Sequence, residues 1–377
     1  MKKIFTIFSL LTFLQFSNAQ MTVLDSFIHN GIQRKFSYYV PASYDGTTAF
    51  PLVFNLHGYS SAGWQQSFYG DFKPIADTAD FIVVHPEGTV VPGASEQFWN
   101  VGFFTSNVDD VGFLENLIDS ISAVYNINQN RIYSTGMSNG GYMSYHLACN
   151  SDRFAAVASV TGSMTLGTFN NCNPSKPTPV MQIHGTADPT VPYNGGNGSL
   201  HIDSVVSYWV NYNNCPSNPT FANVPNTNLT DGANAEHYVY SAGNANATVE
   251  LYKVINGAHT WPGASYIIGV TCQDFSASKE IWRFFNQYGQ ITSTTSTLTD
   301  ENAIRLFPNP VSDYLNFEVK DQSNGSYNIF DLNGMLISSA KISDQQVSIN
   351  VNDFPVGLYI LEYKSDKKTE IHKFCKL

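Results

Sequence analysis

Two hydrophobic periods alternate along the chain after residue 20, and together they predict a layered fold. In MTVLDSFIHNGIQRKFSYYVP (21–41) apolar and polar positions alternate on both sides of Asn30-Gly31. That dipeptide tolerates the positive φ of a tight turn, so the stretch reads as a β-hairpin. The next strands differ in kind. PLVFNLHG (51–58), FIVVHPEG (81–88), RIYSTG (131–136), FAAVASVTG (154–162), PVMQIHGTAD (179–188) and TVELYKVINGAH (248–259) are nearly continuous apolar runs ending in Gly, Asp or His. Helical spacing separates them. Val111, Leu114, Leu117, Ile118 and Ile121 predict a helix from Asp109 to Tyr125, another leads through Cys149, and two more fall near 200–213 and 274–288. Apolar strands interleaved with helices imply an α/β fold over 20–290, with a mostly parallel sheet covered on both faces. In such sheets the functional residues lie just past the carboxyl ends of the strands. The Asn- and Pro-rich stretch 214–247 predicts an irregular insertion with a short hairpin.

The pattern changes at ITSTTSTLTDEN, polar and rich in Thr and Ser, which makes 291–303 a linker. From 304 to 377, LFPNPVSDYLNFEV, SYNIFDLNGMLI, QVSINVNDF and GLYILEYKSDKKTEIHKF are short alternating strands broken by Asn-Gly, Pro and Asp. They predict a small all-β sandwich without a catalytic cluster. At the other end, Lys2 and Lys3, an apolar run from Ile4 to Phe16, and Ser17-Asn18-Ala19 have the order of a secretory signal peptide, residues 1–19. No later apolar run is long enough to cross a bilayer, so an exported chain that does not span the membrane is expected.

Composition narrows the partners. Hydrophobic residues make up 43% of the chain and aromatic residues 14%, enough for a sizeable core, and the net charge is −11. An acidic surface excludes nucleic acid as a partner, since phosphate binding needs basic side chains. Export puts the cysteines in an oxidising compartment. Cys149, Cys172, Cys215 and Cys272 permit three pairings, of which Cys149–Cys172 and Cys215–Cys272 are favoured because each ties a helix end or loop to the next connection. Cys375 is left over.

Candidate chemistry concentrates in Gly136-Met137-Ser138-Asn139-Gly140, between a predicted strand and a predicted helix. A turn that tight exposes the serine hydroxyl and leaves no room for side chains two residues to either side, hence the glycines. A serine hydroxyl needs a base. In a strand–turn–helix site of this kind the acid and then the base follow in chain order. His259, in NGAHTWPG after a strand, is the candidate base, and Asp188, closing QIHGTAD, the candidate acid that orients it. His184 lies inside its strand, where a structural role fits. His201, His237 and His372 sit in irregular context or in the tail. Two backbone N–H groups must hold the oxyanion, and Asn139 and Tyr59 are the candidates. Asp109 and Asp110 read as a helix start, and no metal ligand set is apparent. Trp64, Trp99 and Trp261 lie in loops near the site, as platforms for substrate rings or as packed core.

NLHGYSSAGWQ, Trp99-Asn100, VDDVGFL, GMSNGGYM, HGTADPTVPY and GAHTWPG, in this order, resemble the secreted poly(3-hydroxybutyrate) depolymerase and feruloyl esterase family. The resemblance covers 50–288. It implies an α/β-hydrolase without cofactor, using Ser138, Asp188 and His259 as a triad. Many members have cysteine after His-Gly, where this chain has Tyr59; an aromatic there is similar to poly(ethylene terephthalate) hydrolases. Those carry Met after the nucleophile, in place of Asn139 here. FPNPVSD, DLNGMLI, FPVGLYIL and the basic ending resemble the C-terminal sorting domain of type IX secretion, which implies the secretion machinery as partner and passage across the outer membrane.

The expectation is a monomeric, secreted or surface-located serine esterase for polymeric or bulky esters. Poly(3-hydroxybutyrate), aromatic polyester, and feruloyl or acetyl esters all fit. The stretch from Gly162 to Pro179 is too short for a lid, so the site should be open. A serine peptidase of the same fold and a non-catalytic surface polymer binder are the alternatives.

Overall fold

The computed structural model describes residues 20–90, 96–103 and 106–289, and in the tail 304–308, 311–319, 325–331, 335–342, 344, 346–365 and 369–376. The signal peptide and the linker expected from the sequence lie outside the described residues. The chain divides into two units, Met1–Gln290 and Ile291–Leu377.

The first unit is built on one 10-stranded sheet. Its strands are β1 (Met21–His29), β2 (Ile32–Val40), β3 (Phe50–Leu56), β4 (Ile82–Pro86), β5 (Ile127–Met137), β6 (Ala156–Val160), β7 (Val180–Gly185), β8 (Thr220–Asn223), β9 (Asn234–Tyr240) and β10 (Val249–Ile255). The order is β1-β2-β4-β3-β5-β6-β7-β10-β9-β8. The run from β4 to β10 is parallel, and antiparallel pairs close both ends. Asn30 and Gly31, at φ 48° and 78°, turn β1 into β2 as their sequence requires. The hairpin foreseen in the Asn- and Pro-rich insertion is β8–β9, which extends the sheet past β10.

Helices α1 (Gly63–Tyr69), α2 (Lys73–Ala79), α3 (Asp110–Ser122), α4 (Asn139–Asn150), α5 (Leu166–Asn171), α6 (Ile202–Tyr212) and α7 (Ala277–Phe285) make the crossovers and cover the faces. Successive residues of a strand point to opposite faces. On β3, Leu52, Phe54 and Leu56 enter one core with α3, α4 and α6, while Val53 enters the other with α2 and α7. Burial on both sides explains why the parallel strands read as unbroken apolar runs. At the start of α3, Asp109 accepts the Gly112 N–H at 2.8 Å, and the buried Asp110 pairs with Arg34 at 2.6 Å.

The two sides of the sheet also decide the disulfides. Cys149 at the end of α4 is bonded to Cys172 just past α5, with Cα atoms 4.7 Å apart. The expected Cys215–Cys272 bridge does not form, and both are buried free thiols. Cys215 packs in the core of the α3–α4–α6 face and Cys272 in that of the α2–α7 face, so the sheet stands between them.

The second unit is all β, with β11 (Ile304–Phe307), β12 (Tyr314–Val319), β13 (Gly325–Phe330), β14 (Leu336–Ile342), β15 (Gln346–Asn350), β16 (Gly357–Ser365) and β17 (Thr369–Lys376). A 3-stranded sheet, β11-β12-β15, and a 4-stranded sheet, β14-β13-β16-β17, share one core that includes Leu315, Phe317, Ile329, Tyr363 and Phe374.

Candidate active site

Ser138 occupies the joint between β5 and α4 at φ 55° and ψ −121°. A non-glycine residue there is strained by about 1–3 kcal/mol and persists only where its surroundings force it. Those surroundings are visible. A Cβ on Gly136 would lie 2.5 Å from the Leu56 carbonyl oxygen and 2.7 Å from the Gly140 carbonyl carbon; on Gly140 it would lie 2.2 Å from the Leu56 oxygen. The end of β3 therefore packs so closely against the turn that only glycine fits at these two positions. The Ser138 N–H donates to the Val160 carbonyl at 2.8 Å, which fastens the turn to β6.

Asp188 follows β7. Its Oδ1 accepts the N–H groups of Thr190 and Val191 at 2.8 and 2.9 Å, and its Oδ2 accepts from His259 Nδ1 at 2.7 Å. The Asp188 side chain is buried, whereas His259, on the loop after β10, keeps 17% of its side-chain surface exposed. With Nδ1–H committed to the carboxylate, Nε2 is the nitrogen left free to take a proton. Ser138 and His259 line one cavity of about 510 Å³, shared with Gly58, Tyr59, Trp64, Phe68, Tyr69 and Tyr266.

Both candidate oxyanion donors border the serine. Asn139 is the first residue of α4, where a helical N–H has no carbonyl partner in its own helix. A Cβ on Gly58 would stand 3.4 Å from the Ser138 Cβ, so the His57-Gly58-Tyr59 turn lies directly against the nucleophile position. His57 shapes that turn. Its Nε2 accepts the Gly88 N–H at 2.8 Å, which leaves the proton on Nδ1 to donate to the Gly58 carbonyl at 2.7 Å. Burial holds its pKa down at about 4, so it stays neutral.

The tryptophans divide. Trp64 is 67% and Tyr59 46% exposed, and both line the cavity. Trp99 and Trp261 are buried and are no substrate platforms. The indole of Trp99 donates to the His57 carbonyl at 2.9 Å, and its backbone N–H is held by the Asn139 side chain at 2.6 Å. It braces the His57–Tyr59 turn against the start of α4. Trp261 donates to Ser278 Oγ at 3.1 Å and packs edge-on against Phe72. A loop position in sequence says nothing about whether a side chain turns inward, and both indole N–H groups found buried acceptors. Phe68, Tyr69, Tyr266 and Ile268, not singled out from the sequence, supply the remaining apolar wall.

The rival histidines are occupied elsewhere: His201 caps α6, His237 pairs with Glu250 at 2.8 Å, and His372 with Glu370 at 3.2 Å. Asp231, Cys272 and Asp274 gather their ligand atoms within 4.8 Å of one another. Their carboxylates already accept the N–H groups of Thr227, Asn228, Ala233 and Gln273, and burial pushes the Cys272 thiol up to about 12. Those backbone bonds make the trio part of the framework of its loop.

A parallel sheet in this strand order, with a strained serine after β5, an acid after β7 and a histidine after β10, is a recognisable architecture. The fold is that of the α/β-hydrolases. The acetyl xylan esterase from Aspergillus awamori superposes with a TM-score of 0.51 at 16% identity, covering 71% of this chain and 99% of that one. Residues 108–204 match the phospholipase/carboxylesterase family, and residues 305–376 match the secretion system C-terminal sorting domain. Feruloyl esterase B of Piromyces equi is 29% identical over 240 residues, 60% of this chain and 42% of that protein. The bifunctional acetylxylan esterase/xylanase XynS20E of Neocallimastix patriciarum is 24% identical over 71% of this chain and 35% of its own length. The chain thus spans less than half the length of either curated relative.

Proposed function

We propose that the chain is an exported serine carboxylic-ester hydrolase working through an acyl-enzyme. The observation that supports this reading is that a strained serine lines the same cavity as a histidine held at 2.7 Å by a buried carboxylate. His259 Nε2 takes the Ser138 proton as Oγ attacks the ester carbonyl. The Asn139 and Tyr59 amides hold the developing oxyanion. The C–O bond to the alcohol then breaks, and His259 returns the proton to the leaving oxygen. Water, deprotonated by the same nitrogen, attacks the acyl-enzyme and releases the acid with Ser138 restored.

The substrate reading rests on the cavity and on the relatives together. An opening of about 510 Å³ walled by Tyr59, Trp64, Phe68 and Tyr266 suits a bulky or aromatic acyl group. Trp64 also borders a second cavity, of about 710 Å³, along β1 and β2, which gives a long substrate somewhere to continue. Feruloyl and acetylated-xylan esters lead the panel, followed by poly(3-hydroxybutyrate) and aromatic polyester. The tail's match to the sorting domain supports export through dedicated secretion machinery to the medium or the cell surface.

The test is a fluorophosphonate probe with p-nitrophenyl butyrate turnover. Wild type should be labelled and active, and Ser138→Ala neither, with unchanged circular dichroism. Undiminished turnover in Ser138→Ala refutes the mechanism. Acids released from each ester of the panel rank the substrates.

A further inference from the structure

His184 and Gln182 belong to no part of the mechanism above, yet both are fully buried on β7 within a few residues of Asp188. Being two apart on a strand, they project from the same face. The direction of every hydrogen bond around them follows from one atom. The Gly162 carbonyl can only accept, so the Gln182 atom 2.9 Å from it is the amide nitrogen. Gln182 Oε1 then accepts from the Tyr145 hydroxyl at 2.6 Å. The second amide proton points at His184 Nδ1, 2.9 Å away, which must therefore accept. The His184 proton is left on Nε2, where it donates to the Val191 carbonyl at 2.8 Å and faces Asp188 Oδ2 at 3.5 Å.

Val191 is held at both ends: its N–H by Asp188 Oδ1 and its carbonyl by His184. We infer that the Gln182–His184 pair is a positioning device for the acid of the triad, fixing the 188–191 turn and presenting Asp188 Oδ2 to His259 as an acceptor. The inference rests on the esterase reading for its kinetic consequence, but not for its geometry. Burial lowers the His184 pKa to about 4, so the pair keeps one protonation state across the neutral range. Apart from Asp188 and His259, the ionisable neighbours of the pair are Tyr145, on Gln182, and, on His184, Tyr193. It packs edge-on to His184 at 5.9 Å, donates to Asp203 and lies beneath Lys253 and beside His201.

The test compares His184→Leu, which fills the space without a donor, with His184→Gln, which keeps an N–H near the Nε2 position. Gln182→Met and Tyr145→Phe complete the set in the full-length protein. On p-nitrophenyl butyrate, His184→Leu and Gln182→Met should lose about 10- to 100-fold in kcat with KM within about 2-fold, taking as a guide the loss when an outer hydrogen-bond partner of a metal ligand is removed. The acidic limb of kcat/KM should move to lower pH, because a less well placed carboxylate favours the imidazolium less. His184→Gln should recover most of both. Tyr145→Phe should stay within about 2-fold of wild type, because Gly162, and not the tyrosine, sets the direction of the network. A second readout needs no turnover: the low-field proton resonance of His259 Nδ1–H should broaden or move in His184→Leu and return in His184→Gln. An unmoved limb and resonance in a folded His184→Leu overturns the inference while leaving the esterase reading intact. Equal losses in His184→Leu and His184→Gln overturn it as well. A wild type without Ser138-dependent turnover sinks the esterase reading, and an unchanged proton resonance across the set then sinks this one separately.

Discussion

Asp188→Asn tests the triad because the structure dictates how the new side chain must sit. Asp188 Oδ1 accepts two backbone N–H groups, from Thr190 and Val191. The introduced amide has one oxygen, and turning its NH2 toward two N–H donors would set like against like, so the oxygen stays there. The NH2 then occupies the Oδ2 position, 2.7 Å from His259 Nδ1 and 3.5 Å from His184 Nε2. To meet a donor, His259 Nδ1 must give up its proton, which moves to Nε2, the nitrogen proposed to take the Ser138 proton. The base is then in the wrong tautomer. In serine hydrolases that change costs about 10⁴-fold in kcat, about 5.4 kcal/mol of barrier. KM should change little, since no cavity wall moves, and thermal unfolding should shift only modestly because the backbone bonds survive. The assay is p-nitrophenyl butyrate hydrolysis, with fluorophosphonate labelling as a check on the serine. A variant within about 10-fold of wild type would refute the assignment of Asp188 as orienting acid.

Three further predictions follow from other parts of the molecule. Trp64→Ala removes an exposed side chain, so stability should hold within about 0.5 kcal/mol. KM for bulky aryl esters should rise about 10-fold, or 1.4 kcal/mol, with p-nitrophenyl acetate unaffected; equal effects on both esters would deny it a recognition role. Replacing both Cys149 and Cys172 by serine opens a crosslink spanning a sequence separation of 23. Urea unfolding should report a loss of about 3 kcal/mol, and replacing Cys215 should give no comparable change in the oxidised protein. Burial works against the Glu250 charge, but His237 and Arg283 outweigh it and hold this carboxyl below its ordinary value. A carboxyl depressed on folding stabilises above its unfolded pKa and loses that contribution as pH falls through its folded value. The urea midpoint should therefore drop between about pH 5 and pH 3, more steeply in wild type than in Glu250→Gln.

The architecture was legible because its signals are local. Unbroken apolar runs marked the doubly covered strands, Asn30-Gly31 marked the first hairpin, and the Gly136–Gly140 spacing marked the serine turn. What could not be read was which way a side chain faces. The Cys215–Cys272 pairing failed because the sheet separates the two thiols, a fact held in no local pattern. For Trp99 and Trp261 a loop position in the sequence gives no hint of the buried acceptors that their indoles meet. The tether behind Asp188 is hidden in the sequence for a similar reason. Alternation along β7 places Gln182 beside His184, but the Tyr145 hydroxyl arrives from α4 and the Gly162 carbonyl from the end of β6, and only the packed sheet unites them.

Burial also supports the proposed choice of His259 as the base. His57, His85 and His184 belong to the ends of β3, β4 and β7, as close to the functional rim as His259, and all are buried. Desolvation lowers their pKa values to about 4, 3 and 4. A general base must become charged in the transition state, which a fully desolvated ring resists; for His184 burial outweighs even the Asp188 carboxylate 3.5 Å away. His57 and His184 instead spend both nitrogens on fixed partners, one orienting the Gly58–Tyr59 peptide and the other the Asp188 turn. His259 differs on each count. It reaches the cavity, it has a carboxylate on Nδ1, and its other nitrogen remains available. On the proposed mechanism, neutral imidazoles hold the frame beside Ser138 and Asp188, and the charge change falls on the ring that reaches the cavity.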